Sequence, residues 1–268
     1  MRFANCFQII ITDWNDAMKI SIITVVLNNK SEIEYCINSV LNQSYKNVEY
    51  IIVDGGSTDG TVDIIRKYEK SISTFISEPD YGIYDAMNKG IKIASGDVIG
   101  LLNADDVYYN NDVLQKIASV MKNTNTEACH SDLVYVNKND LNKVVRYWRS
   151  CEFQKGFLKK GRTPAHPTFF VRKSVYDQYG TFDLSYKLAA DFELMARFLE
   201  HHKIKVKYIP MVSVRMRVGG VTNKSLSNIV KGNLEIFKAC KKNNIKLFYP
   251  SFLAGKFINR VQQFYLTP

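Results

Sequence analysis

Short runs of β-branched residues alternate with helix-like segments over the first hundred residues of the chain. The run at 19–27 (KISIITVVL) is continuously apolar, which is typical of a strand covered on both faces in a parallel sheet. A segment with apolar residues at helical spacing follows at 33–41, and a second β-branched run lies at 48–53. The alternation then repeats at 58–70, 74–77, 83–94 and 97–102. The pattern predicts βαβ units, and therefore an α/β half-domain of the nucleotide-binding type over residues 1–106.

The rest of the chain continues the mixture of helices and strands. In order, we predict a helix at 112–122, strands at 129–136 and 144–148, a polar loop at 150–166, a strand at 168–172, a helix from about 190, two short strands within 203–222 and two helices separated near Pro250. No repeat, low-complexity tract or Pro-rich linker is visible, which favours one fused domain. The expected organisation is an N-terminal extension at 1–17, an α/β domain at 18–222 with halves at 18–106 and 107–222, and a basic helical tail at 223–268.

The positive charge of the chain is concentrated at its C-terminal end. The net charge is +10, yet residues 1–106 are net acidic, and residues 203–268 hold 13 basic residues against one acidic residue. This excess favours an anionic partner. Nucleic acid is a poor candidate, because neither a helix-turn-helix nor an aromatic RNA-binding signature is visible.

Apolar runs and cysteines exclude further classes of protein. No run approaches the roughly 18 apolar residues that a membrane-spanning helix needs, and residues 1–17 lack the pattern of a signal peptide. The five cysteines are scattered without a C-x-x-C pair, which argues against a disulfide framework and against a zinc site. A cytoplasmic location is therefore expected.

An acidic residue ends the second predicted strand. Asp54 is followed by small residues in the segment 54–60 (DGGSTDG), at the strand end where ligands bind in open α/β sheets. The spacing differs from an EF-hand, because no glycine occupies its sixth position. Two interpretations stay open: a ligand contact at Asp54, or a turn that caps the following helix.

A second acidic pair, Asp105 and Asp106, follows the predicted strand at 97–102. Adjacent carboxylates repel each other unless a cation lies beside them, and a hard divalent cation prefers oxygen ligands. The alternative is an exposed acidic turn. Two acidic strand ends in one βαβ array favour a site for a metal and a diphosphate.

Five motifs in register identify a family resemblance. The segments 23–28 (ITVVLN), 53–61 (VDGGSTDGT), 85–90 (DAMNKG), 94–97 (ASGD) and 102–106 (LNADD) together resemble glycosyltransferase family 2, over about residues 18–222. The resemblance implies a GT-A fold, which is a Rossmann-like α/β fold with a mixed, mainly parallel sheet flanked by helices. It also implies a nucleotide-sugar donor, a divalent metal and inversion at the anomeric carbon.

The resemblance also assigns roles to individual residues. Donor-nucleotide contacts are expected at Thr24, Leu27, Glu32, Asp54, Asn88, Lys89 and Asp105. Asp54 would hold the base or the ribose, Asp105 the ribose or the metal, and Asp106 the metal. Lys89 could equally be a solvated helix residue. The family's metal motif is commonly Asp-x-Asp, whereas Asn103 stands first here, so the number of protein ligands stays open.

Two residues of the second half match positions that face the acceptor. Asp191 lies about 85 residues after the metal motif, at the start of a predicted helix, and the resemblance makes it the base that deprotonates the acceptor hydroxyl. Its alternative role is an ordinary helix N-cap. His166, between Ala165 and Pro167, is a tentative acceptor contact, and a structural histidine is an equal alternative.

The last predicted helix is basic and amphipathic. Its apolar face contains Ala254, Phe257, Ile258, Val261 and Tyr265, and its polar face contains Lys256, Asn259, Arg260 and Gln263. Such a helix can lie on an anionic membrane surface. The alternative is that the apolar face packs against the preceding domain.

The sequence therefore predicts an inverting glycosyltransferase that uses Mg²⁺ or Mn²⁺ and moves a sugar from a UDP-sugar to a hydroxyl of a glycan or lipid-linked glycan. Its expected setting is bacterial surface-polysaccharide assembly, in the cytoplasm or peripherally on the inner membrane face. One alternative is a sugar-nucleotide-binding protein without transferase activity. The other is a nucleotidyltransferase, which would need a Gly-rich loop that the turn at 27–30 lacks.

Overall fold

The first half of the chain forms a parallel sheet with helices on both faces. The structure, a computed structural model, describes residues 18–219 and 226–265. The parallel strands are β1 (Ile20–Val26), β2 (Val48–Asp54), β3 (Thr74–Ser77) and β4 (Val98–Asn103), in the order β3-β2-β1-β4. The helices between them are α1 (Ile33–Leu41), α2 (Thr61–Arg66) and α3 (Ile83–Ile93). The predicted βαβ alternation is present, with α2 shorter than the segment expected at 58–70.

The second half extends the same sheet with strands of mixed direction. Its elements are β5 (Val107–Tyr108), α4 (Val113–Met121), β6 (Ala128–Asn137), β7 (Asp140–Trp148), β8 (Phe170–Arg172), α5 (Lys173–Tyr179), α6 (Ala190–Met195), which continues as a π-helical turn at Ala196–His201, and β9 (Val206–Arg217). The order continues β4-β8-β6-β9-β5, and β7 pairs with β6. Because β8 is antiparallel to both β4 and β6, the sheet is mixed, as predicted.

One long strand replaces the two short strands expected within 203–222. β9 pairs in parallel with β6, and the register shifts between the pairs His130–Tyr208 and Asp132–Val212. Pro210 lies in this irregular stretch, where its missing N–H costs no ladder hydrogen bond. Pro210 therefore lies in a bulge within a continuous strand.

Side chains of the central strands alternate between two apolar layers. On β1, Ile23 and Val25 pack with α3 in one layer, whereas Ile22 and Val26 pack with α1 in the other. Both layers are closed by helices. This arrangement buries the sheet on both faces and leaves the carboxyl ends of β1 and β4 at the open edge.

The two C-terminal helices pack onto the α/β domain. α7 (Leu226–Lys242) and α8 (Tyr249–Gln262) contribute Ile236, Ala239, Cys240 and Phe252 to the same core layer as α3 and α6. A Cβ added at Gly161 would lie 2.5 Å from the backbone nitrogen of Lys256, so α8 lies directly against the loop at 158–161. The predicted extension at 1–17, and the predicted domain boundary between residues 222 and 223, lie outside the described residues.

α8 packs on the domain through one face and leaves its predicted apolar face exposed. Phe252, Gly255, Asn259 and Gln263 face the domain, while Phe257 is 69% exposed and Tyr265 is 84% exposed. The predicted alternative, in which the apolar face packs against the preceding domain, is therefore wrong. No helix in the described part of the chain is long and apolar enough to cross a bilayer.

Candidate active site

A large cleft lies at the open edge of the sheet, where the carboxyl ends of parallel strands usually bind ligands. Its volume is about 1480 Å³. One end is lined by Leu27, after β1, and by residues 103–105, after β4. The other end is lined by the loop at 161–167, the start of α6, and residues of α7 and α8.

The turn after β4 presents two unpaired oxygen atoms. The Asp106 side chain is 0% exposed, and its Oδ1 atom has no hydrogen-bond partner. Oδ1 of Asn103 is likewise buried and unpaired, while Nδ2 of Asn103 lies 3.4 Å from Oδ2 of Asp106. Burial raises the pKa of Asp106 well above its usual value, and the charge of Asp105 raises it further, against the opposing effects of Asn103 and Arg217.

Asp105 borders the cleft beside this turn. Burial raises the pKa of Asp105, the nearby Glu32 carboxylate adds to the increase, and Arg217 opposes it. Arg217, at the end of β9, is itself buried, donates to the Lys138 carbonyl at 2.7 Å and stacks over the Tyr35 ring. One arginine thus faces two carboxylates, and the site retains an excess of negative charge.

The donor atoms of this turn suit a hard divalent cation. Buried polar atoms are normally hydrogen-bonded, so the two orphaned oxygens of Asn103 and Asp106 are unusual. Amide and carboxylate oxygens are ligands for Mg²⁺, which commonly binds one or two carboxylates together with substrate phosphates. Among the described residues no group of three His, Cys, Asp or Glu side chains could hold a metal. Any cation here would therefore need ligands from a bound substrate or from water.

Asp191 lies in the first turn of α6 and faces the cleft. Its Oδ1 accepts hydrogen bonds from the Phe192 backbone N–H at 2.8 Å and from the Tyr84 hydroxyl at 3.3 Å. The N-cap position of α6 is occupied by Ala189. The alternative prediction, that Asp191 is the N-cap, is therefore wrong.

Three side chains that can donate a proton or carry charge surround Asp191. Tyr84 stacks on Phe182, and burial raises the pKa of its hydroxyl, so the hydroxyl stays protonated. His166 lies edge-on to Phe182 with its Nε2 buried and unpaired; burial lowers its pKa, and the charge of Asp191 opposes that effect. Lys256, whose Nζ donates to Asn233 at 2.8 Å, is close enough for the Asp191 charge to act on it.

Thr24 lies on β1 at a position that does not line the cleft. Its side chain is buried on the α1 face, where its hydroxyl contacts Tyr50 at 3.2 Å and Cys36 at 3.6 Å. A residue one position before or after it would point to the other layer. In this position Thr24 supports the strand and cannot contact a nucleotide in the cleft directly.

The Asp54 carboxylate accepts hydrogen bonds from the loop that follows it. Its oxygens accept hydrogen bonds from the Gly56 and Ser57 backbone N–H groups, at 3.1 and 3.0 Å, and from the hydroxyls of Ser57 and Ser77. The side chain is fully buried and does not line the cleft. The turn-forming interpretation of the segment 54–60 describes this geometry better than a direct ligand contact does.

Three further residues that were predicted to contact the nucleotide do not line the cleft. Asn88 forms two hydrogen bonds of 2.9 Å with the backbone of Phe182 and so ties α3 to the loop before α6. Lys89 pairs with Glu78 at 2.8 Å, which matches its alternative role as a solvated helix residue. Glu32 occupies the N-cap position of α1, and its negative charge contributes to the raised pKa of Asp105.

The structure thus brings together Leu27, Asp105, His166 and Asp191 on the walls of one cleft. Asp106, the residue after Asp105, is fully buried and does not line the cleft. Tyr84 and Lys256 were missed in the sequence. Tyr84 precedes the motif at 85–90 without any chemical signal of its own, and Lys256 was counted only as part of the basic tail.

Comparisons with known proteins agree with this geometry. Residues 21–180 match the family model described as glycosyl transferase family 2. A PGL/p-HBAD biosynthesis glycosyltransferase of Mycobacterium tuberculosis is 29% identical over 207 residues, which cover 76% of this chain and 78% of that protein.

Two solved structures share the fold. S. aureus TarS 1–349 in complex with UDP-GlcNAc matches with a TM-score of 0.60 and 16% identity, over 89% of this chain and 79% of that one; the present chain covers 43% of a longer TarS chain. The mannosyltransferase PcManGT from Pyrobaculum calidifontis, in complex with GDP-Man and Mn²⁺, matches with a TM-score of 0.62 and 14% identity, over 94% of this chain and 76% of that one. These likenesses confirm the predicted fold class.

Proposed function

This chain belongs to glycosyltransferase family 2 and is a glycosyltransferase, and on that premise we propose that it transfers a sugar from a UDP-sugar to a hydroxyl of a glycan acceptor with inversion. The observation that carries the proposal is that one cleft is lined both by the acidic turn after β4 and by Asp191. The proposed site for a metal and a diphosphate therefore borders the same cleft as the proposed proton acceptor.

Asp191 acts as the general base. Its carboxylate takes the proton of the acceptor hydroxyl, and the acceptor oxygen forms a bond to the anomeric carbon from the side opposite to the leaving group. The bond between the anomeric carbon and the diphosphate oxygen breaks, and the bonding electrons leave with UDP. The Tyr84 hydroxyl and the Phe192 N–H, both bonded to Oδ1, hold the carboxylate in its orientation.

Asn103, Asp105 and Asp106 would hold Mg²⁺ or Mn²⁺. The unpaired, buried oxygens of Asn103 and Asp106 support this assignment, as does the Mn²⁺ in the complex of PcManGT with GDP-Man. When bound, the cation supplies positive charge that stabilises the departing diphosphate. Leu27 and Asp105, on the wall of the cleft, would contact the nucleotide, and His166 the acceptor. Thr24, Asp54 and Asn88 would act indirectly, by shaping the surrounding strands and loops.

The relatives support the proposed donor and acceptor classes. UDP-GlcNAc in TarS supports a UDP-sugar, and the PGL/p-HBAD biosynthesis relative supports a glycan or glycolipid acceptor, as in surface-polysaccharide assembly. A binding protein without transferase activity would have no use for Asp191 and Tyr84 on the acceptor side. A nucleotidyltransferase would need a Gly-rich loop after β1, where Leu27, Asn28 and Asn29 stand.

A donor panel tests the function. The purified chain is incubated with UDP-glucose, UDP-galactose, their N-acetyl forms and GDP-mannose, with Mn²⁺ or with EDTA, and release of the nucleoside diphosphate is measured. We expect release from at least one UDP-sugar that depends on Mn²⁺. Release that is equal in EDTA, or release from GDP-mannose alone, would contradict the proposal.

We further propose that the protein is cytoplasmic and binds peripherally to an anionic inner membrane face through the outer face of α8. That face consists of Leu253, Ala254, Phe257, Ile258, Val261 and Tyr265, all of which are exposed. The segment 226–265 carries one acidic residue, Glu235, among its many lysines and arginines. Apolar side chains beside uncompensated cations are complementary to an anionic bilayer, where each nearby cation contributes about 1 kcal/mol.

Vesicle binding should depend on the outer face of α8. We expect the Phe257→Glu, Ile258→Glu double variant to bind vesicles of phosphatidylglycerol and phosphatidylcholine at least about tenfold more weakly than the unaltered chain, because burying one such side chain is worth about 1.5–3 kcal/mol. Sedimentation with vesicles at two salt concentrations measures this. The control is Ile93→Glu, which changes an exposed apolar residue on α3. Equal binding by the double variant and the control would refute the proposal.

A further inference from the structure

The wall of the cleft formed by β7 and α8 carries positive charge without matching negative charge. Arg146 of β7 and Lys256 and Arg260 of α8 all line the cleft, together with Arg149 and Arg162 nearby. None of these five cations takes part in the ion pairs found among the described residues. Surface cations are commonly left unpaired in this way, so the burial of Arg146 is the decisive feature.

Arg146 is a buried cation with an unsatisfied donor. Its side chain is 5% exposed, its Cζ lies 3.6 Å above the centre of the Tyr135 ring, and its NH1 group is buried without a hydrogen-bond partner. Burying an unpaired charge, or a donor without an acceptor, costs free energy. An anion in the cleft, which Arg146 lines, would offset this cost.

Arg260 lines the same cleft as Arg146 and has the same charge. Its charge lowers the pKa of both Arg146 and Lys256, in each case after the larger effect of burial. The backbone holds the two elements that carry these cations together, because the Tyr147 N–H donates to the Gln263 carbonyl at 2.9 Å and so joins β7 to the end of α8. Like charges held together by the backbone are stabilised when an anion lies between them.

The chemistry of the two arginines favours a phosphate group. Guanidinium groups match the geometry of phosphate oxygens and bind them with paired hydrogen bonds. The donor and the acceptor are both possible sources of such a group. The donor diphosphate already has a partner in the cation expected at Asn103 and Asp106. In contrast, Arg260 lies on α8 and lines the cleft together with the exposed apolar side chains of Phe257 and Phe264.

We propose that Arg146 and Arg260 form a phosphate subsite that binds the phosphate or diphosphate of a lipid-linked acceptor. The phosphate lies between the guanidinium groups, and the lipid chain leaves the cleft along Phe257, Val261 and Phe264. The identification of the ligand as an acceptor rests on the proposed function, while binding to the subsite can be measured without turnover.

The test measures binding of decyl diphosphate by calorimetry, below its micelle concentration, with the donor site filled by UDP and Mn²⁺. We expect Arg260→Gln and Arg146→Gln to weaken decyl diphosphate binding by about tenfold or more, since a hydrogen bond to a charged group is lost. Affinity for UDP and Mn²⁺ should stay within about twofold of the unaltered chain. Decyl glucoside, which lacks the phosphate, should bind equally to all variants.

The controls separate the possible failures. Arg260 is exposed, so its variant tests the proposal even if Arg146→Gln does not fold. Lys241→Gln removes an exposed cation of α7 that does not line the cleft, and it should bind decyl diphosphate normally. Unchanged decyl diphosphate binding in Arg260→Gln would overturn the subsite. A parallel loss of UDP affinity would overturn it as an acceptor site and assign the arginines to the donor. Absence of transferase activity alone would refute the proposed function and leave this binding result standing.

Discussion

Asp191→Asn should lower the turnover number by about 10²–10⁴-fold while leaving donor binding unchanged, because a positioned general base contributes an acceleration of that size. The asparagine amide has nearly the same shape, and its oxygen can still accept the hydrogen bonds from Phe192 and Tyr84. It cannot take up the acceptor proton. The measurement is kcat with a donor found in the panel, together with the affinity for UDP and Mn²⁺ by calorimetry.

A matched variant gives this prediction its control. Asp177→Asn makes the same chemical change on α5, at an exposed residue that does not line the cleft, and it should keep normal turnover. A rate for Asp191→Asn near that of Asp177→Asn would refute the role of Asp191 as base. A large loss of UDP affinity in Asp191→Asn would show that the residue serves donor binding instead.

Asp106→Asn should weaken metal-dependent UDP binding by at least about 10–100-fold. Removing a side chain that only supports a metal ligand already lowers metal affinity by about this factor, and Asp106 is expected to be a ligand itself. The same change should stabilise the metal-free protein. Asp106 is fully buried with an unpaired oxygen, and a buried charge without a partner costs free energy that a neutral amide does not.

Two measurements check this pair of effects. Calorimetry with UDP and Mn²⁺ should show the loss of affinity, and thermal unfolding without metal should show a Tm raised by a few degrees, since about 1 kcal/mol corresponds to about 2–4 °C in a protein of this size. Adding Mn²⁺ with UDP should raise the Tm of the unaltered chain by mass action and leave that of Asp106→Asn nearly unchanged. A variant with lower Tm and a normal response to Mn²⁺ would contradict the assignment of Asp106 as metal ligand.

The sequence predicted the first half of the fold well because its signals are local. The β-branched runs of β1, β2 and β4 and the helical spacing of α1 and α3 are each contained in one short segment. The second half depends on partners distant in sequence. The bulge at Pro210, which keeps β9 continuous, forms only because β6 lies beside it, and no pattern within residues 203–222 reveals this pairing.

The candidate site shows the same division. Asp105 follows the end of β4, and Asp191 lies at the start of α6. Strand ends and helix starts can be located from sequence, so the position of both residues at the open edge was predictable. Thr24 and Asp54 belong to strands that lead to the cleft, but neither side chain lines it, because Thr24 contacts Tyr50 on the α1 face and Asp54 is held by the hydrogen bonds of Ser57 and Ser77. Motif spacing locates a residue along the chain and does not determine the direction of its side chain.

The way the C-terminal helix packs on the domain could not be predicted from its sequence. Its apolar face is exposed, as a membrane-surface helix requires, while Phe252, Gly255 and Asn259 face the domain, where α8 passes directly against Gly161. The same docking places Arg146 and Arg260 on one cleft. Residues more than a hundred positions apart, on elements with no shared motif, carry no joint signal in the sequence.

The anomeric configuration of the product shows whether the sugar is transferred by single displacement. We expect an acceptor oxygen, deprotonated by Asp191, to displace UDP in one step. Proton NMR of the product formed from an α-linked UDP-sugar should therefore show a β-glycosidic bond from the earliest time point. An α-linked product would contradict single displacement, and with it the assigned role of Asp191.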